Sequence, residues 1–106
     1  FMSRPRIAAL LKDAQPGTAV EVRGWVRTKR ESKGDFAFLE LNDGSCLGNL
    51  QIVVDATVPD YHALIKQITT GASVSVTGDI VASQGKGQRI EVKARTVTLY
   101  GTADPA

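Results

Sequence analysis

Two phenylalanines lie on a strand face that the alternation of residue types predicts to be exposed to solvent. In the run FAFLELN at 36–42, the small and aliphatic residues share one face and pack naturally as core, whereas Phe36 and Phe38 share the other. A flat ring on an outer face can stack an unpaired base of a nucleic acid, which contributes about 1–3 kcal/mol. We assign that role to Phe38, and we expect Phe36 to cover the outer surface against an N-terminal helix.

Gln51 and Glu91 are polar residues predicted on the outward faces of two further strands. The amide of Gln51 offers a donor and an acceptor, which is enough to read one base edge, although an isolated exposed glutamine is usually only solvated. The carboxylate of Glu91 can accept a hydrogen bond from a base amino or imino group; the alternative is a cross-strand salt bridge. The expected position of Gln51 beside Phe38 favours a functional role, whereas for Glu91 the residues alone favour the salt bridge.

The basic residues that could hold phosphates are concentrated in one segment. The whole chain has a net charge of only +2, which is too small to indicate a partner. Between positions 23 and 33, five basic residues stand against one acidic residue, a local charge of +4, and form a candidate phosphate-facing strip. The basic residues are Arg23, Arg27, Lys29, Arg30 and Lys33, and the acidic one is Glu31. Charge alone is equally compatible with a solvated strand end.

No pattern in the sequence indicates catalysis, a metal or a cofactor. The run SQGKGQ at 83–88 lacks the longer loop and the Ser or Thr of a Walker sequence, so we interpret it as a hairpin whose Lys86 could touch a backbone phosphate. His62 lies on a predicted helix without nearby ligand partners, and no nucleophile elbow is present. Cys46 is the single cysteine, which favours a reducing compartment, the cytoplasm. The longest uncharged stretch, 68–78, contains polar residues throughout, so we expect no membrane span.

Hydrophobic periodicity gives the order helix, three strands, helix, two strands. The expected helices cover 6–14 and the segment opened by Pro59 and closed by Thr70-Gly71, and the expected strands cover 18–30, 36–42, 49–55, 74–80 and 88–99. One helix between the third and fourth of five strands predicts an all-β OB-fold, a Greek-key barrel whose strand 2–3 face binds oligonucleotides. An SH3-like barrel or a small α+β sheet explains that helix less well. Gly24 is expected to mark a bend in strand one, Gly78 is a second glycine within a strand, and Trp25 is interpreted as a packing residue at the end of the barrel.

The length of 106 residues suits one domain, which we place at residues 6–101. Residues 1–5 are interpreted as an added or disordered start, because Phe1 precedes Met2, and residues 102–106 as the beginning of a linker.

Several segments resemble one protein family in order and spacing. The runs VRGWVRTKRESK at 22–33, FAFLELNDGSC at 36–46 and LQIV at 50–53 resemble the N-terminal anticodon-binding domain of class IIb aminoacyl-tRNA synthetases, which comprise the aspartyl, asparaginyl and lysyl enzymes. The runs DGSC at 43–46, TGASVSVTG at 70–78 and SQGKGQRIE at 83–91 look most like the bacterial asparaginyl branch. The resemblance covers about residues 7–105.

The resemblance implies a role for each matched position. Phe38 would stack the middle anticodon base, Gln51 would pair with a middle uridine, Arg30 would contact base or phosphate, and Glu91 would lie near the first anticodon base. The other basic residues proposed to hold phosphates are Arg27, Lys29, Lys33 and Lys86. The residue that distinguishes the third base, and so asparagine from aspartate tRNA, is left open.

The implied partner is a tRNA anticodon stem-loop, with no membrane partner. The family's chain continues through a hinge into a catalytic domain that uses ATP and magnesium as an asparagine–tRNA ligase and is expected to form a homodimer. This chain lacks that domain, so we expect a fragment or a free-standing module without a cofactor, monomeric when isolated and unable to charge tRNA. The alternatives are a non-specific single-strand binder, or a protein-interaction module or engineered binding scaffold on the same barrel.

Overall fold

The architecture is a barrel of five strands with two short helices. The computed structural model describes residues 6–13, 15–32, 35–44, 48–83 and 90–101. The elements are α1 (Ile7–Asp13), β1 (Ala19–Ser32), β2 (Phe36–Asn42), β3 (Leu50–Asp55), α2 (Tyr61–Gln67), β4 (Ser73–Ala82) and β5 (Ile90–Gly101). The predicted order of elements is therefore confirmed. Helix α2 begins two residues after Pro59, because Asp60 has a left-handed backbone with φ of 59° and precedes the first helical turn. In the part of the chain described, no helix is long and apolar enough to cross a membrane.

The sheet closes on itself in the order β1-β2-β3-β5-β4. All neighbouring strands are antiparallel except β3 and β5, which run parallel. The fourteen-residue strand β1 makes this closure possible, because its first half pairs with β4 and its second half with β2. These pairings confirm the predicted all-β, five-stranded OB-fold.

The core lies inside the barrel and consists of the residues that alternate inward along each strand. Val20, Val22 and Val26 of β1 are buried, as are the aliphatic residues that the sequence assigned to the inner faces of β2, β3 and β5. The two helices extend this core with further buried side chains, among them Ile7 of α1 and Ile65 of α2. Because successive side chains point to opposite faces, the residues before and after each inward residue of a strand face the outer surface.

The turn after β2 is held by two polar side chains. The buried Asn42 amide donates to the Gly48 carbonyl and to Asn49 Oδ1, each at 3.0 Å, and its oxygen accepts from the Gly44 backbone N–H at 2.6 Å. The next residue, Asp43, accepts from the Ile7 backbone N–H at 2.9 Å and so holds the first turn of α1. These bonds set where β3 begins and attach α1 to that end of the barrel.

Gly24 and Gly78 allow strand backbones to approach each other closely. A Cβ at Gly24 would lie 2.6 Å from the Asn42 carbonyl oxygen, and one at Gly78 would lie 2.2 Å from the Lys93 carbonyl oxygen. Real side chains do not tolerate such distances, and the obstructing atoms are backbone, which cannot turn aside. The interpretation of Gly24 as a bend in strand one thus acquires a steric reason, which Gly78 shares.

We predict that Gly78→Ala lowers the free energy of unfolding by about 1–3 kcal/mol, because the new methyl group must push β4 away from β5. Gly101→Ala is the matched control, since a Cβ there meets no heavy atom within 4 Å and its backbone is not left-handed. Urea denaturation of both variants checks this, and equal stability of the two would contradict the steric account.

Candidate nucleic-acid interface

A β-bulge in β1 decides which basic residue shares a face with Phe38. The pairing of β1 with β2 skips Arg27, since Val26 faces Leu41 and Thr28 faces Glu40. Beyond the bulge, Arg30 is therefore paired with Phe38 on the outer face. Simple alternation from Val26 would have placed Arg30 inward. The extra residue shifts the alternation of side chains by one, so the residues after it face the opposite side of β1 from the one expected.

Arg30 and Phe38 form a cation–π contact on the outer surface. The guanidinium carbon Cζ of Arg30 lies 5.4 Å from the centroid of the Phe38 ring. Phe36 packs edge to face against Phe38, with ring centroids 5.4 Å apart and an interplanar angle of 87°. Helix α1 is attached at the Asp43 end of β2, away from Phe36. The expectation that Phe36 covers the outer surface against the N-terminal helix was wrong, since the Phe36 ring packs against the Phe38 ring.

Gln51 and Glu91 are joined directly on the same face. Gln51 Nε2 donates to Glu91 Oε1 at 3.1 Å, across the parallel junction of β3 and β5. Phe38 is paired with Val53, two residues beyond Gln51, so Gln51 is a diagonal neighbour within reach of a base stacked on the ring. The structure thus brings together four of the predicted site residues, namely Arg30, Phe38, Gln51 and Glu91.

Lys93 also lies on this face, although it was not among the residues predicted to bind nucleic acid. It is paired with Val53, so Arg30, Phe38, Val53 and Lys93 form one row across four strands. The available signal was its basic, outward position on strand five; its neighbours follow from the parallel pairing. At the end of β3, the pKa of Asp55 is lowered by hydrogen bonds from the Thr57 hydroxyl and backbone N–H and by the positive charge of Lys93.

Lys29 is directed away from this face. It is paired with the buried Leu39. Its Nζ donates to the Ile65 carbonyl near the end of α2 at 2.9 Å and lies 3.9 Å from Glu31 Oε2. Only 21% of its side chain is exposed. The bulged Arg27 is exposed on the surface. Lys33 and Lys86, the remaining predicted phosphate contacts, lie outside the described residues, as do residues 1–5 and 102–106.

A second aromatic patch, of Arg23 and Trp25 on β1 and Tyr100 on β5, lies elsewhere on the barrel, on the two sides of β4. Trp25 is 38% exposed and Tyr100 is 57% exposed, and Arg23 Cζ lies 5.6 Å from the Tyr100 ring centroid. Trp25 nevertheless packs against the turn after β2, since a Cβ at Gly44 would lie 3.5 Å from its Cη2, which agrees with its interpretation as a packing residue. His62 is exposed, as expected. No group of three or more metal-ligating side chains occurs among the residues described.

An outward aromatic ring between basic side chains, on a closed five-stranded barrel, is the arrangement by which OB-fold domains bind single-stranded nucleic acids. Residues 20–100 match the model of the tRNA_anti-codon family, described as an OB-fold nucleic acid binding domain. The chain belongs to this family.

The curated relatives include asparagine–tRNA ligases. The enzyme of Nostoc sp. is 61% identical over 104 residues, which cover 98% of this chain and 22% of the relative. That of Syntrophobacter fumaroxidans is 60% identical over 90 residues, covering 85% of this chain and 19% of the relative. The chain thus spans about a fifth of the length of these relatives.

Solved structures share the fold. Asparaginyl-tRNA synthetase of Entamoeba histolytica, in complex with asparaginyl-adenylate, aligns with a TM-score of 0.79 and 24% identity over 99% of this chain and 25% of that one. An OBody bound to hen egg-white lysozyme aligns with a TM-score of 0.78 and 16% identity over 93% and 96% of the respective chains. At these identities the likeness shows the fold alone.

Arg30 lies on the face that carries Phe38 and Lys29 is directed away from it, so replacing each should have a different effect on RNA binding. Arg30→Met should weaken binding of a single-stranded RNA loop and reduce the slope of log affinity against log salt by about 0.7–1, because a phosphate or base contact is lost. Lys29→Met is the matched control and should leave both quantities unchanged while lowering stability through loss of the bond to Ile65. Binding titrations at several salt concentrations check this. A larger affinity loss in Lys29→Met would show that the bulge does not set the binding face.

Proposed function

We propose that this chain binds the anticodon loop of a tRNA and reads its central base as uridine. The observation that carries the proposal is the position of Phe38, whose half-buried ring lies on the outer face between Arg30 and the Gln51–Glu91 pair. This arrangement combines a stacking surface, a hydrogen-bonding edge and a cation within one small area, as single-stranded RNA recognition requires.

In the proposed mode of binding, the loop spreads its bases over strands β2 and β3. The central base stacks on Phe38, which Phe36 and Arg30 hold in place through their ring contacts. The Gln51 amide then hydrogen-bonds to the edge of that base. Arg30, Lys93 and the exposed Arg27 lie where phosphates of the loop could pass, and Lys33 and Lys86 remain predictions for the same role. We leave Lys29 out because its ammonium group binds the end of α2.

The relatives support an asparagine tRNA as the partner. The relatives at 60–61% identity are asparagine–tRNA ligases, and identity at that level favours the same role for the matching segment. We infer that the chain is the anticodon-binding part of such a cytoplasmic enzyme. The ligation chemistry, with ATP and magnesium, would then belong to the four-fifths of the relatives' length that this chain does not span.

Binding titrations with anticodon stem-loops that differ only at the central base test the proposal. We expect tighter binding to the central-uridine loop, with the preference lost in Gln51→Ala and the affinity falling as salt rises. Equal binding to all four loops would indicate a non-specific single-strand binder instead. Absence of salt-sensitive binding would reject RNA as the ligand and favour a protein partner.

We predict that Phe38→Leu weakens binding to every loop sequence by about 1–3 kcal/mol, because the stacking surface is lost whichever base occupies it. Tyr100→Leu is the matched control, since it removes a more exposed ring that also has an arginine neighbour, on the other patch. Fluorescence anisotropy with labelled loops measures both variants, and thermal melts verify that both are folded. A greater loss in Tyr100→Leu would move the interface to the second patch.

A further inference from the structure

The hydrogen bond between Gln51 and Glu91 has a consequence for base selection. A carboxylate can only accept hydrogen bonds, so the Gln51 amide must direct its nitrogen toward Glu91, at the observed 3.1 Å. The carbonyl oxygen of the same amide is thereby fixed on the edge that points away from Glu91. A free glutamine can exchange these two ends by rotating its amide through half a turn, and the bond to Glu91 opposes that rotation.

We propose that Glu91 is a positioning residue that makes the reading of uridine selective against cytosine. This inference rests on the proposed function and concerns the same site. Uridine and cytosine have nearly the same shape and stack alike on Phe38, but uridine presents an N3–H donor where cytosine presents an N3 acceptor. With the base held on the ring, a fixed Gln51 oxygen accepts from uridine and repels cytosine. An amide free to rotate could donate to cytosine instead.

The surroundings of Gln51 offer a second carboxylate for comparison. Glu40 is the cross-strand partner of Gln51 on the same outer face, and Asn49 Nδ2 lies 3.5 Å from its Oε2. The Gln51 amide, however, donates to Glu91. Neutralising Glu40 therefore removes a similar charge from the same area without removing the bond that orients Gln51.

The test compares Glu91→Gln with Glu40→Gln. A glutamine at position 91 can donate as well as accept, so the Gln51 amide can adopt either orientation. For the wild-type chain we expect about a tenfold preference for the central-uridine stem-loop over the central-cytosine one, the value of one hydrogen bond to the base. Glu91→Gln should reduce that ratio to about twofold or less, chiefly through tighter binding of the cytosine loop, whereas Glu40→Gln should retain it.

Two further measurements separate orientation from folding. In a Gln51→Ala background, Glu91→Gln should leave the uridine–cytosine ratio unchanged, because no amide remains to be oriented. In heteronuclear NMR spectra of the free proteins, the Gln51 side-chain amide signals should shift much more in Glu91→Gln, which removes their hydrogen-bond acceptor, than in Glu40→Gln, and this readout also detects a variant that fails to fold.

The possible results distinguish failure of the positioning role from failure of the proposed function. A wild-type chain that selects uridine, with the selection retained in folded Glu91→Gln, would overturn the positioning role and leave the proposed function standing. A wild-type chain that binds both loops equally would overturn the reading of uridine and this inference together. A ratio that falls equally in Glu40→Gln would assign the effect to charge and reject the orientation of Gln51 as its cause.

Discussion

The shape of the barrel depends on two places where the backbones of neighbouring strands approach too closely for a side chain to fit between them. At Gly24 and Gly78 the carbonyl groups of Asn42 and Lys93 occupy the space that a Cβ would need. Those approaches lie where β1 meets β2 and where β4 meets β5, within a barrel in which every strand is paired on both sides. Because side chains alternate across a strand, fixed pairing also fixes which residues face outward. The candidate interface therefore depends on backbone contacts outside its own set of side chains.

Pairing between neighbouring strands brings the side chains of the outer face together. The bulge at Arg27 turns Arg30 outward onto Phe38 and leaves Lys29 to bind the end of α2. The parallel junction of β3 and β5 places Glu91 beside Gln51. Each functional side chain thus has a neighbour that restricts its motion, and such prior ordering reduces the entropy lost when a ligand binds.

The strands and the core were predictable because a period of two is visible in any single strand, as in the Val20, Val22 and Val26 series. The outward positions of Phe38, Gln51 and Glu91 followed from the same rule. The face of Lys29 was not predictable, since nothing in the segment from Val26 to Thr28 signals an inserted bulge residue. The Gln51–Glu91 bond depends on strands forty residues apart, so it could not be read from local pattern.

The central claim is that an unpaired base binds on the face that carries Phe38, and NMR mapping tests it most directly. The isolated chain would be titrated with a central-uridine anticodon stem-loop while backbone and side-chain signals are followed. We expect the largest shifts at Arg30, Phe38, Gln51 and Glu91, with the patch of Arg23, Trp25 and Tyr100 little changed. Shifts concentrated on that second patch, with the Phe38 face unaffected, would contradict the claim.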